Sequence, residues 1–101
     1  VARDFDIGRI DEVIHGRVRL GVVAYLMADN PAEFTILKNK LELNEGTLSV
    51  HLRKLEDAGY VVIEKTYKGR RPLTRIHLTE NGRAAFRAYL ETMAKLAGLG
   101  D

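Results

Sequence analysis

Residues 44–86 read NEGTLSVHLRKLEDAGYVVIEKTYKGRRPLTRIHLTENGRAAF, and the fold turns on how this stretch divides. Asn44 offers a side-chain oxygen to the open N–H groups of a helix running to Ala58, and Gly59 supplies the left-handed residue that ends it. Tyr60 to Thr66 is then rich in β-branched and aromatic residues, while Thr74 to Leu78 alternates Ile76 and Leu78 against Arg75 and His77. Both read as strands. Gly69 and Pro72 in the connection predict a hairpin with a long, basic tip instead of a tight two-residue turn. Thr79 caps a last helix whose Phe86, Tyr89, Leu90, Met93 and Leu96 form an apolar stripe, with Gly98 and Gly100 fraying its end.

Upstream, Val18, Leu20, Val22, Val23, Tyr25, Leu26 and Met27 are apolar on more than one side, as in a helix central to a core, and Asp29, Asn30 and Pro31 stop it. Thr35 is placed to cap a helix through Leu41, and Glu33 to Thr35 is too short to read as a strand. Phe5, Ile7, Ile10, Val13 and Ile14 recur at three- and four-residue spacing, which predicts a short amphipathic helix interrupted at Gly16. The order is four helices, a hairpin and a helix. The chain is therefore expected to be mainly α with a small β-hairpin, and two short helices joined by a tight turn ahead of that hairpin spell a winged helix-turn-helix.

One such domain fills the whole of residues 1–101, since so short a chain has no room for two cores. With no cysteine there is no disulfide framework and no thiolate metal site, so a reducing compartment such as the cytoplasm is expected. The mixed, acidic start is not that of a secretory leader, and no apolar run approaches the ~18 residues of a membrane span. His15, His51 and His77 fall on separate elements without ligand spacing, so neither metal nor cofactor is expected. His51, at the edge of the core face of its helix, reads as a packed or hydrogen-bonded histidine. Catalysis is not expected either: there is no Gly-rich phosphate loop, no Gly-x-Ser-x-Gly elbow and no His-Glu-x-x-His pair. Ser49 and His51, two apart on a helix, point about 200° apart and cannot act as nucleophile and base.

The charge is concentrated. Residues 65–75 hold Lys65, Lys68, Arg70, Arg71 and Arg75 without an acid, so this segment carries +5 while the remainder carries −3. A local positive field of this kind suits an anion-binding protrusion. In the helix before it, Leu48, Leu52 and Leu55 gather on one face, which leaves Gly46, Val50, Arg53 and Asp57 opposite, flanked by Thr47 and Lys54 on one side and Ser49 on the other. That outer face puts a β-branched apolar residue in water and opens beside a glycine that costs about 1 kcal/mol of helix propensity. Both suit DNA: Gly46 permits close backbone approach, Val50 fits a thymine methyl, Thr47 and Ser49 bond to phosphates or bases, Arg53 reaches guanine or the backbone, and Lys54 suits phosphate. An ordinary solvated face with one tolerated valine has the same composition. Lys68, Arg70 and Arg71 at the wing suit the backbone or a narrow minor groove, and equally a solvated turn.

The same stretch resembles the winged-helix domain of small bacterial and archaeal transcriptional regulators of the MarR and ArsR type. The resemblance rests on Leu48-Ser49 and His51-Leu52, Leu55 followed by Ala58-Gly59-Tyr60-Val61, the basic wing, and Leu78-Thr79-Glu80-Asn81-Gly82, and it covers residues 16–90. It implies that the third helix of the motif enters the major groove with Thr47, Ser49, Val50, Arg53 and Lys54, that Arg70 and Arg71 flank it, and that terminal helices pair two subunits. The metal-sensing members use Cys or His clusters that this chain lacks, and its length is closer to that of the minimal one-domain regulators.

Phe5, Ile7, Ile10 and Ile14 at one end, with Tyr89, Leu90, Met93, Leu96 and Leu99 at the other, exceed what a small core readily buries. A homodimer through these helices is expected, although the same residues would also serve to complete the core of a monomer. The sequence thus points to a regulator that binds double-stranded DNA, with a winged helix serving as a protein-interaction module as the alternative. Operator, regulated genes, direction of regulation and any small-molecule effector are not legible.

Overall fold

The structure, a computed structural model, describes residues 5–99. Four helices, α1 (Arg17–Ala28), α2 (Phe34–Lys40), α3 (Glu45–Asp57) and α4 (Glu80–Leu96), surround a sheet of β1 (Ala32–Glu33), β2 (Val61–Lys68) and β3 (Arg71–Leu78). The sheet is antiparallel with order β1-β3-β2, so the expected hairpin is there and has gained a third strand. β1 is two residues long and pairs Ala32 with Ile76 and Glu33 with Arg75. It exists because β3 offers a free edge.

α3 is bounded by its own caps, as the sequence predicts. Asn44 Oδ1 accepts from the Thr47 N–H at 2.7 Å. At the other end Gly59, at φ +81°, lets its N–H reach the Glu56 carbonyl and the Tyr60 N–H reach that of Leu55, both at 2.9 Å, which is the Schellman arrangement. α4 is then fastened to that cap. The Thr79 N–H donates to the Tyr60 carbonyl at 3.0 Å, and the Thr79 hydroxyl donates to the Gly59 carbonyl at 2.7 Å while accepting from the Gly82 N–H at 2.9 Å. Gly82 is what permits this contact, since a Cβ there would stand 2.3 Å from the Tyr60 oxygen.

Three expectations are corrected. Residues 5–14 form no amphipathic helix; they include a 3-10 turn at Ile7–Arg9 followed by irregular turns. Asp6 Oδ1 accepts from the Gly8 N–H, and Asp11 Oδ1 accepts from those of Val13 and Ile14, so short carboxylate side chains take the amides that helix propagation would need. The wing does not end in a long loop, because Lys68 pairs with Arg71 and only Gly69 and Arg70 turn. Gly69 has φ +66°, and a positive φ at the first turn position alone is the pattern of a type II′ hairpin. Pro72 is tolerated inside β3 because β1 covers only the Arg75–Ile76 end, leaving that edge of the strand unpaired. Finally, Glu33 rather than Thr35 occupies the N-cap of α2.

The core joins Val22, Val23 and Leu26 of α1 and Leu37 of α2 to Leu48, Leu52 and Leu55 of α3 and to Val61, Ile76 and Leu78 of the sheet. Among the described residues no charged or polar side chain is buried with them. The leucine stripe of α3 is thus turned inward, and the opposite side of that helix is left to solvent.

Candidate nucleic-acid interface

α3 presents Gly46, Ser49, Val50, Arg53 and Lys54 as exposed residues, with Thr47 half-buried. Val50 keeps 57% of its surface exposed, an apolar β-branched side chain standing free in the middle of a polar face. A Cβ on Gly46 would meet nothing nearer than Asn44 Oδ1 at 3.6 Å, so no neighbour among the described residues requires glycine there.

His51 sits on the flank of this face, half-buried, with its Nδ1 2.8 Å from an Arg19 guanidinium nitrogen. Arginine has only donors, so Nδ1 accepts and the ring proton lies on Nε2. Burial, then the charge of Arg19, then that of Lys54 hold the imidazole below its ordinary pKa. Arg19 also donates to the carbonyls of Val13 and Glu12 and so ties residues 12–13 to α3. From the same segment Asp11 Oδ2 accepts from the Tyr60 hydroxyl at 2.5 Å, which together with burial raises that phenol to about 12. His51 is the hydrogen-bonded histidine that its position predicts.

The wing sorts its cations by strand alternation. Val61, Ile63, Lys65 and Tyr67 share the face turned toward α3 with Leu78, Ile76, Thr74 and Pro72 of β3. Glu64 lies on the other face and binds there both His77 Nε2, at 2.9 Å, and Arg75 Nη1, at 3.9 Å. Arg75 therefore lies beside Glu64, on the face turned away from α3. Lys68, Arg70 and Arg71, all exposed at the tip, make no ion pair with the described residues, and neither do Arg53, Lys54 and Lys65. Between wing and α3 lies an open groove of about 410 Å³ lined by Ser49, Arg53, Ile63, Lys65 and Thr74, with Phe34, Leu52, Glu45 and Glu56 completing its wall. Lys65 and Thr74 are not among the residues that the sequence marks as a site; the period-two pattern that puts Lys65 in line with Val61 and Ile63 is the signal that identifies its face.

The residues expected to pair two subunits divide into two groups. Phe5, Ile7, Leu90 and Leu99 are 68%, 74%, 50% and 82% exposed, and Ile10, Met93 and Leu96 are half-buried. Ile14 and Tyr89 do not belong with them: Ile14 has no exposed surface and Tyr89 only 6%. Both are used inside the protomer, where the Tyr89 hydroxyl is 2.9 Å from His15 Nδ1. Among the described residues no His, Asp and Glu cluster could hold a metal ion, and no helix is long and apolar enough to cross a membrane.

Comparison with known proteins agrees with this architecture. Residues 18–97 match the family described as a winged helix DNA-binding domain. An uncharacterized protein of Methanocaldococcus jannaschii is 36% identical over 86 residues, which cover 85% of this chain and 94% of that one. The solved structure of a transcriptional regulator homologue from Pyrococcus horikoshii OT3 superimposes with a TM-score of 0.81 at 28% identity, over 96% of this chain and 93% of that one. Overoxidized AbfR, solved bound to DNA, gives 0.65 at 27% identity over 88% and 67%. A MarR-family regulator from Silicibacter pomeroyi, at 24% identity and a TM-score of 0.63 over 82% and 56%, shares the fold. By family match and by fold, the chain belongs to the winged helix DNA-binding domains.

Proposed function

We propose that this protein is a transcriptional regulator that reads a specific sequence in double-stranded DNA, with α3 in the major groove and the tip of the wing on the adjoining backbone or minor groove. The observation that carries the reading is the outer face of α3, which exposes Gly46, Val50 and Arg53 beside wing cations that pair with no described residue. Val50 and Arg53 read base edges, Thr47 and Ser49 serve phosphates or bases, and Lys54, Lys68, Arg70 and Arg71 hold the backbone. AbfR, which is similar in fold and has been solved with DNA, supports this assignment.

The acting species in this reading is a homodimer formed through Phe5, Ile7, Ile10, Leu90, Met93 and Leu96. Phe5, Ile7 and Leu90 are apolar side chains that one protomer leaves exposed, and a second subunit would cover them. Two-fold symmetry would set the two copies of α3 about 34–36 Å apart and select a near-palindromic site. Sedimentation velocity at micromolar concentration is expected to give twice the protomer mass; monomer alone overturns the dimer.

Selection of bound sequences from a random duplex pool tests the main reading. Enrichment of one near-palindromic sequence is expected, with substitutions at Val50 or Arg53 changing the selected bases and Lys54→Ala weakening all sites alike. A pool that shows no enrichment and no retention at low salt leaves the fold serving protein contacts instead.

A further inference from the structure

The groove between α3 and the wing separates the two elements assigned to DNA, and its wall on the sheet side carries polar side chains with no part in that assignment. On one side stand Ser49 and Arg53; on the other, Lys65 and Thr74 project from the inner face of the sheet, with Tyr67 following Lys65 on that face and 71% exposed. Arg53 and Lys65 make no ion pair with any described residue, although Glu45 and Glu56 line the same groove. These two acids are eleven residues apart on α3, roughly 16 Å along the helix axis. They bracket a central stretch that carries two cations and two hydroxyls.

We propose that this central stretch is a phosphate seat. One strand of the sugar-phosphate backbone runs between α3 and the wing, with Lys65 as its principal contact and Ser49, Thr74 and the Tyr67 hydroxyl as further donors. The inference rests on the DNA reading above and adds to it a residue that holds the duplex in register without reading its sequence. Lys65 suits the task as a compact charge on a flexible stem, which can follow a phosphate but does not make the planar, two-point contact by which arginine recognises guanine. The acids at either end repel neighbouring phosphates, so the seat accepts the backbone in one position along α3 and not as a sliding track.

The sheet supplies its own control. Arg75 is in the same basic run and contributes the same charge, but it lies on the opposite face with Glu64. Binding of the selected duplex is measured by fluorescence anisotropy at several salt concentrations for the intact chain, Lys65→Gln, Lys65→Arg and Arg75→Gln. Each phosphate released from the protein lowers the slope of log affinity against log salt by about 0.9. Lys65→Gln is expected to show that decrease with an unchanged base preference, Lys65→Arg to retain the slope, and Arg75→Gln to match the intact chain. Equal slopes for Lys65→Gln and the intact chain overturn the seat, and so does an equal decrease in Lys65→Gln and Arg75→Gln, which would report net charge alone. A changed base preference in Lys65→Gln also overturns it. Failure of the intact chain to bind any duplex at low salt overturns the DNA reading itself. Thermal melts of each variant confirm that the fold is retained.

Discussion

The exchange of glycine for alanine in the first turn of α3 and of α4 is expected to move stability in opposite directions. In an open helical position alanine is favoured by up to about 1 kcal/mol, partly because glycine leaves more freedom in the unfolded chain. Gly46 is such a position, with its nearest neighbour at 3.6 Å. At Gly82 the new Cβ would stand 2.3 Å from the Tyr60 oxygen and 2.7 Å from Leu78 Cδ1. Carbon and oxygen in contact sit about 3.3 Å apart, so α4 or Tyr60 has to move by about 1 Å. Neither is free to do so. The Tyr60 carbonyl accepts the Thr79 N–H, the Tyr60 N–H is part of the α3 cap, and the Thr79 hydroxyl is bonded to Gly59. Overpacking of this kind costs about 1–3 kcal/mol, and a strained cap hydrogen bond adds about 1 kcal/mol. After the gain in propensity, Gly82→Ala is expected to lose about 2 kcal/mol, or about 10 °C in Tm for a domain of this size. Gly46→Ala is expected to melt at the same temperature or a few degrees higher.

Melting followed by far-ultraviolet circular dichroism, at one fixed protomer concentration, measures both. Because the unfolded-state term is common to the two exchanges, the difference between the variants isolates the native contact. Gly82→Ala melting at or above the intact chain would refute the close approach of α4 to Tyr60. The same pair of variants probes function. Gly46→Ala is expected to weaken DNA binding while the fold is at least as stable, because the added methyl group stands where the duplex approaches; unchanged affinity would remove Gly46 from the interface.

Three further expectations follow from particular contacts. Tyr60→Phe removes the hydroxyl that Asp11 Oδ2 accepts, and is expected to cost about 1.5–3 kcal/mol in urea denaturation, the usual range for a hydrogen bond to a charged group. Since folding raises this phenol from its ordinary 10.0 to about 12, its contribution is complete below pH 10 and falls as pH rises toward 12; an alkaline loss of stability is expected in the intact chain and should be smaller in Tyr60→Phe. His51 has the opposite sense. Its pKa is lowered by folding from 6.5, so its contribution is present above that pH and is lost as pH falls through the lowered value. The acid limb of a stability-against-pH curve is expected to flatten in His51→Gln; an unchanged limb would show that the Arg19 contact does not discriminate between protonation states. At the wing, replacing Arg70 and Arg71 together by alanine is expected to reduce the salt slope of DNA binding by about 0.9 for each phosphate that the tip no longer holds, without change in Tm. An unaltered slope would place the tip away from the backbone.

The parts of the fold that are legible in the sequence are those whose cause is local. Asn44 and Gly59 mark the ends of α3 because capping and left-handed geometry depend on residues within one turn. The stripe of Leu48, Leu52 and Leu55 determines which side of α3 faces outward, and hence the candidate face with Gly46, Val50 and Arg53. The sequence misleads where the outcome depends on partners distant along the chain or on competition between near-equal local options. Residues 5–14 have helical spacing but give their amides to Asp6 and Asp11, while Tyr60 and Arg19 hold the segment from outside. Pro72 reads as a loop residue until the free edge of β3 is known. β1 is too short to have a pattern of its own and is created by the strand beside it.

Sequence by itself therefore determined that one helix presents an apolar side inward and a mixed side outward, and that a basic hairpin follows it, since periodicity and caps act over a few residues. Only the tertiary structure decided which apolar and charged side chains remain available. Ile14 and Tyr89 have the same composition signal as Ile7 and Leu90 but are enclosed within the protomer. Arg75 and Lys65 lie in one basic run, yet the register of β2 on β3 turns one toward Glu64 and the other toward α3. The reason is that burial and ion pairing are set by what packs opposite a residue, and that neighbour is fixed by chain topology rather than by the residue's own surroundings in sequence.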